Sequence, residues 1–275
     1  AYIEWFCGYP DRALQRGKEA LALAYELLQP FSLAFALHDL ALLYLFCRER
    51  QATHEMVERC IALANEKGFA FPLAFGTLLQ GWLMAEQGQP RDGIAQMRQE
   101  FPVFKALSGE VWYPWVLALL AEAYSKGGQA EAGLSLLAEA LELVNTNGER
   151  IWEAELYRLK GELTLQQSKA GLGQVSDKSQ AGQDKSENTS PQPLAPNTQQ
   201  EAEACFLKAI EIARKQQAKS LELRATTSLA RLWQQQGKQK EAHQMLAEIY
   251  HWFTEGFDTK DLQEAKTLLE ELTRG

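Results

Sequence analysis

The sequence predicts an all-α protein, a solenoid of antiparallel helix hairpins, and three observations carry that prediction. Leu117 to Leu143, LALLAEAYSKGGQAEAGLSLLAEALEL, reads as two amphipathic helices joined by a turn at Lys126-Gly127-Gly128. Leu120, Ala121 and Tyr124 share a face of the first helix, and Gly133, Leu137 and Ala140 share a face of the second. The position of Ala121 then recurs at Ala41, Gly81 and Gly161, in steps of 40 residues. Small residues fall wherever the two helices of a hairpin have to touch. Self-similarity at a fixed period marks stacked units, each of which buries its apolar face against its neighbours.

The elements follow in order along residues 1–275, read as a single repeat domain. AYIEWFC ends a first helix, Gly8-Tyr9-Pro10 turns, and Asp11 to Leu28 is the partner helix, with Ala13 and Ala20 at its small positions. Pro30 stops that helix, because proline lacks the donor and clashes with the preceding turn. The first full repeat pairs Phe31–Cys47 with Gln51–Glu66, and the second pairs Ala70–Gln87 with Arg91–Phe104 around Gly81 and Gly93. The third is the stretch quoted above, extended back to Val111. The fourth opens at Glu149 and carries Tyr157 and Gly161.

Residues 170–197 interrupt it with a run rich in Ser, Gln, Gly, Asn and Pro, expected to be a disordered insertion because it cannot offset its ordering entropy by burial. The array is expected to resume at Thr198, where Thr198 and Glu201 have capping-box spacing. A last hairpin pairs Leu221–Gln236 with Gln239–Phe253. Residues 258–273 then form an amphipathic capping helix with an acidic outer face.

Composition excludes several functions. The formal net charge of −8 argues against nucleic acid, where affinity comes from basic residues on phosphates, and against anionic membrane surfaces. No apolar run approaches the roughly 20 residues that cross a bilayer. The four cysteines form no CxxC pair and share no metal-ligand spacing with histidine, which points to reduced structural thiols and a cytoplasmic setting. No phosphate-binding glycine loop, zinc-protease helix or nucleophile elbow is present, so no catalytic residue, metal or cofactor is expected. The chain opens inside what reads as the end of a helix, as expected of a piece of a longer protein.

At these residues the chain resembles a known family. LLAEAYSKGGQAEAGLSLLAEALEL and ACFLKAIEIARKQQAKSLELRATTSLARLWQQQGKQKEA are similar to tetratricopeptide repeats, with the large-small pair Leu120-Ala121, aromatic Tyr124 and small residues at Gly133, Ala140, Ala202 and Ala209. The period is 40 where the common form has about 34, so each hairpin should be longer. GWLMAEQGQ, WEAELYRLKGEL, EAEACFLKAI, QAKSLELRA and GFDTKDLQEAK carry a closer likeness to the long-helix repeat tail of bacterial multidomain signalling proteins, in which a class III nucleotide cyclase or kinase domain and an ATPase precede the repeats. The resemblance implies a right-handed superhelix, first helices on its concave surface, and a protein or peptide partner that includes those upstream domains.

Counting from the small anchors assigns the concave groove. Its apolar half is Phe35, His38, Leu42, Phe46, Phe75, Leu78, Trp82 and Trp115, and its charged half is Glu122, Glu155, Arg158, Glu162, Arg224 and Arg231. Large apolar side chains exposed in a groove would receive an amphipathic helix or an extended peptide. A tightly wound superhelix would instead let them pack on one another across the groove, and an upstream helix would also cover them. In the charged half the register sets Glu155 beside Arg224 and Glu162 beside Arg231, either as a structural ladder or as an anion clamp. Two functional classes follow: a non-catalytic interaction scaffold, or a small-molecule sensor similar to the sensor domain of the maltotriose-responsive activators, with Trp82 and Trp115 stacking a sugar beside Glu122. An open apolar groove favours the scaffold, and an enclosed pocket with converging polar groups favours the sensor.

Overall fold

The computed structural model describes residues 1–108, 112–179 and 196–274. Among the described residues all regular structure is helical, in the order α1 (Tyr2–Phe6), α2 (Pro10–Glu26), α3 (Pro30–Phe46), α4 (Arg50–Lys67), α5 (Ala70–Glu86), α6 (Pro90–Ser108), α7 (Tyr113–Lys126), α8 (Ala130–Asn147), α9 (Glu153–Ser179), α10 (Pro196–Gln216), α11 (Lys219–Gln235), α12 (Gln239–Tyr250) and α13 (Lys260–Arg274). Each odd helix pairs with the even helix after it, and α13 packs on α11 and α12. The hairpin-repeat architecture is thus the one the sequence predicts.

The anchors hold as counted. Ala41, Ala121 and Ala230 are buried, as are the second-helix residues opposite them, Thr53, Gly133 and Ala242. The contact is close enough to be selective. A Cβ at Gly81 would stand 2.8 Å from the Gly93 carbonyl oxygen, and one at Gly161 would meet the Phe206 ring at 2.5 Å. Real Cβ atoms do not tolerate such separations, so glycine stands where the backbones of α5 and α6 cross and where the Phe206 ring lies on α9. One turn breaks the pattern: Gly8, Gly88, Gly128 and Gly237 hold the left-handed position after their first helices, but in the hairpin of α3 and α4 that position is Arg48, at φ 61°. A non-glycine residue there costs about 1–2 kcal/mol.

Two boundaries and one burial differ from expectation. Helix α9 continues to Ser179, ten residues into the stretch read as an insertion, and residues 180–195 of that stretch lie outside the described residues. Helix α10 begins at Pro196, which puts Thr198 inside the helix rather than at its cap; proline at a helix start needs no hydrogen-bond partner. Ala20 is exposed, because α1 has only five residues and nothing lies over that part of α2.

The larger difference is in how the hairpins stack. Successive first helices touch, α1 on α3, α3 on α5, α5 on α7, α7 on α9 and α9 on α11, and α11 then returns to touch α1. The array closes on itself. The seam is polar at its edges and apolar within. The Ser220 hydroxyl donates to the Trp5 carbonyl at 2.5 Å, the Gly256 amide donates to Asp11 at 2.9 Å, and Arg12 pairs with Glu255 at 3.1 Å. Tyr9 packs on Trp252 with ring centroids 5.6 Å apart, and the Arg224 guanidinium lies over the Trp5 ring.

Candidate functional site

Closure divides the inward faces of the first helices into a plug and a cavity. In the plug, Trp5 and Phe6 of α1 meet Phe46 of α3, Phe75 of α5, Trp115 of α7 and Trp152 just before α9. Phe46 lies 4.9 Å from Trp5 and 5.2 Å from Trp152, and Phe75 stacks on Trp115 at 5.8 Å. These offset and edge-on geometries suit the ring quadrupoles. The expected open apolar stripe is therefore absent. Phe46, Phe75, Leu42, Leu78 and Trp115 are at most 3% exposed, and Trp82 is 8% exposed. His38 is buried with its ring 3.9 Å from that of Phe75 and its Nδ1 2.7 Å from Asp39, and half-buried Phe35 stacks on Phe71. The cause is the winding: the ends of α1 and α3 are carried across the axis onto the starts of α7 and α9, so groove positions become core.

Below the plug lies a cavity of about 340 Å³. Phe46, Trp82, Trp115, Glu122, Glu155, Arg158, Glu162, Arg224 and Arg231 line it; Phe35, His38, Leu42, Phe75 and Leu78 do not. Its wall is a charge network built across neighbouring first helices. Trp82 of α5 donates its indole N–H to Glu122 of α7 at 2.9 Å. Arg158 of α9 holds Glu155 through two bonds, at 2.8 and 2.9 Å, the bidentate geometry a planar guanidinium allows. Arg224 of α11 donates to Asp261 of α13 at 2.7 Å and to the Phe46 carbonyl at 2.5 Å, tying the last helices to the third.

The expected ladder is half present. Glu155 and Arg224 approach to 3.8 Å, as their register requires. Arg231 turns instead to Glu264 at 3.0 Å, while Glu162 accepts from Ser228 at 2.6 Å. Helix α13 is the reason. It brings Asp261 and Glu264 inward, so the first turns of its acidic face close the ring while Glu270 and Glu271 stay exposed, and Arg48 reaches both inward carboxylates, at 3.2 and 3.0 Å.

Two carboxyls on the wall shift in opposite directions. Burial pushes Glu122 up, Glu155 and Glu86 add repulsion, and Arg158 with the Trp82 N–H only partly offsets them. Burial also pushes Glu155 up, but the paired Arg158 and the nearby Arg224 outweigh it and hold Glu155 below the usual carboxylate range.

Among the described residues no group of three or more His, Cys, Asp or Glu side chains is placed to hold a metal ion, and no helix is long and apolar enough to cross a membrane. Sequence reasoning missed Arg48, Arg50, Asp261 and Glu264 of the lining. Arg48 carried a signal, the missing glycine of its turn.

No protein-family model matches the chain, and no curated protein matches it. Solved structures similar to it include the nearly identical TPR-like repeats of a Podosopora anserina protein described as a kinesin light chain: 16% identity, TM-score 0.46, 90% of this chain and 99% of that one covered. A second structure of those repeats, carrying one substitution, gives 16% identity and TM-score 0.46 over 87% of this chain and 96% of that one.

Proposed function

We propose that this chain is a non-catalytic binding module whose ligand site is the central cavity, taking a small polar molecule or the end of a peptide. The observation that carries the reading is a partly open recess, near the lower end of the roughly 300–1,000 Å³ typical of small-molecule sites, on which charged groups converge beside Trp82 and Trp115. An amphipathic helix would need the apolar stripe, and that stripe is inside the plug. The test is a thermal-shift screen of charged and neutral small molecules against the chain and against Ser125→Trp, which fills the cavity from its half-buried wall. Ligands that stabilise the chain but not the variant support the site; equal stabilisation of both contradicts it.

A protein surface is the second reading, favoured by a strip outside the ring. Leu23, Leu27, Leu28 and Phe31 are 54, 56, 86 and 54% exposed where α2 meets α3. Scattered exposed leucines need no explanation, but a contiguous apolar patch marks an interaction site. In a signalling protein of the kind the sequence resembles, the partner is an adjoining cyclase, kinase or ATPase domain of the same polypeptide. Leu23→Glu with Leu27→Glu should weaken binding of that domain supplied in trans; undiminished binding contradicts this reading.

A further inference from the structure

The chemistry of the cavity wall narrows the ligand class, and this step rests on the cavity reading above. The recessed groups are mostly acids. Glu86, Glu155, Asp261, Glu264 and Glu122 keep 8, 8, 12, 23 and 27% of their side-chain surface exposed, against 15% each for Arg158 and Arg224. The cations that balance them come from the rim on long exposed chains: Arg48, Arg231, Lys126 and Arg50 are 40, 47, 48 and 57% exposed. Arg50 and Lys126 both fold inward onto Glu86.

Donors and acceptors are unequally committed. Each recessed guanidinium already holds an acceptor through Nε and Nη2, Arg158 with Glu155 and Arg224 with Asp261 and the Phe46 carbonyl, while Nη1 stands 3.6 Å from Glu162 in Arg158 and 3.8 Å from Glu155 in Arg224. Glu122 accepts through one oxygen from Trp82, while its other oxygen stands 3.9 Å from Arg158, beyond hydrogen-bond reach. An anion entering here would meet five recessed carboxylates and only two recessed guanidiniums, each already holding a carboxylate. A donor-rich cation would meet acceptors and relieve the mutual repulsion of Glu122, Glu155 and Glu86, the repulsion that helps push the Glu122 carboxyl up.

We propose that the cavity takes an organic cation, a guanidinium or primary ammonium on a short apolar stem, with the charged end between Glu122 and Glu86 and the stem against Trp82. The cation displaces the inward-folded rim chains from their carboxylates, so binding exchanges one positive charge for another and leaves the interior neutral. Aromatic faces beside the charge add cation–π attraction.

The test is isothermal titration of the full chain with four probes: agmatine and spermidine as cations, citrate as an anion, maltotriose as a neutral sugar. The expected result is one cation site, weakened by salt, weakened at least about tenfold by Glu122→Gln, abolished by Ser125→Trp, and strengthened by Arg50→Gln, which removes a competitor for Glu86. Glu122→Gln preserves shape and removes a repelled charge, so its fold survives. Cation binding that neither Glu122→Gln nor Ser125→Trp alters would belong to the acidic outer surface and would overturn the proposal. Citrate or maltotriose binding, blocked by Ser125→Trp and without a cation signal, would overturn the cation class and leave the cavity reading standing. Silence from all four probes would overturn both.

Discussion

The plug and the cavity occupy equivalent positions on successive first helices, yet one is core and the other is wall. Phe75 and Trp115 sit six residues before their anchors Gly81 and Ala121, and Glu155 and Arg224 sit six before Gly161 and Ala230. The first pair stack inside the plug; the second pair lie side by side in the cavity wall at 3.8 Å. Register fixes which way a side chain points, and the turn of the superhelix decides what it meets there. Rings met rings where α1 and α3 cross the axis, and charges were left where nothing crosses it. A repeat array can therefore build a buried core and a polar chamber from one periodic pattern.

The comparison breaks first at the plug. Trp115→Ala deletes a buried indole among four aromatic neighbours and should cost about 3–5 kcal/mol in urea unfolding; a loss below about 1 kcal/mol would show that the rings do not pack as core. Next is the network that joins the two regions. Arg224→Met takes from Asp261 its closest cation, leaving it the more exposed Arg48, and from Glu155 the second of two guanidiniums; the cost of breaking a largely buried pair, discounted for partial exposure and for the cations that remain, is about 1–3 kcal/mol. A change of no more than about 0.5 kcal/mol, the behaviour of a surface pair, would place Arg224 in solvent.

Smaller effects sharpen the contrast within the wall. Glu122 has a raised folded-state pKa, so its contribution to stability is fully present below the ordinary carboxylate value and is lost as pH rises above it. Glu155 is lowered, so its contribution is present above that value and lost as pH falls through the folded one. Glu122→Gln should therefore raise stability at pH 7 while changing little at pH 4, and Glu155→Gln should lower it at pH 7. Thermal unfolding across pH checks both; a Glu122→Gln variant less stable at pH 7 would mean the carboxylate is well paired. The smallest effect is at the seam. Arg48→Gly relieves a left-handed backbone but loses exposed ion pairs to Asp261 and Glu264, terms of about 1–2 and 0–1 kcal/mol per pair, which should nearly cancel. A loss above about 2 kcal/mol would make Arg48 a structural latch.

The hairpins were legible because their determinants are local. A forty-residue step from Gly81 names Ala41, Ala121 and Gly161, and helix ends fall within a few residues of proline and glycine signals. Ring closure was not legible. It depends on a small rotation between hairpins accumulated over six of them, and nothing at a single position encodes that sum. So Phe46 and Trp115 read equally well as an open groove or as packing across it, and Arg231 was assigned to Glu162 because α13 had no visible reason to fold inward. The run of α9 to Ser179 was hidden by composition, since Gly171, Gly173, Ser176 and Asp177 are weak helix formers.

Closure is tested most directly at the seam, where Arg12 meets Glu255. With Cys7→Ser and Cys205→Ser removing the more accessible native thiols, Arg12→Cys and Glu255→Cys should be joined within one chain by a short bis-maleimide, at a rate independent of protein concentration. A chain that gives no intramolecular product, or only products that grow with concentration, would have open ends, and then neither the plug nor the cavity would exist as described.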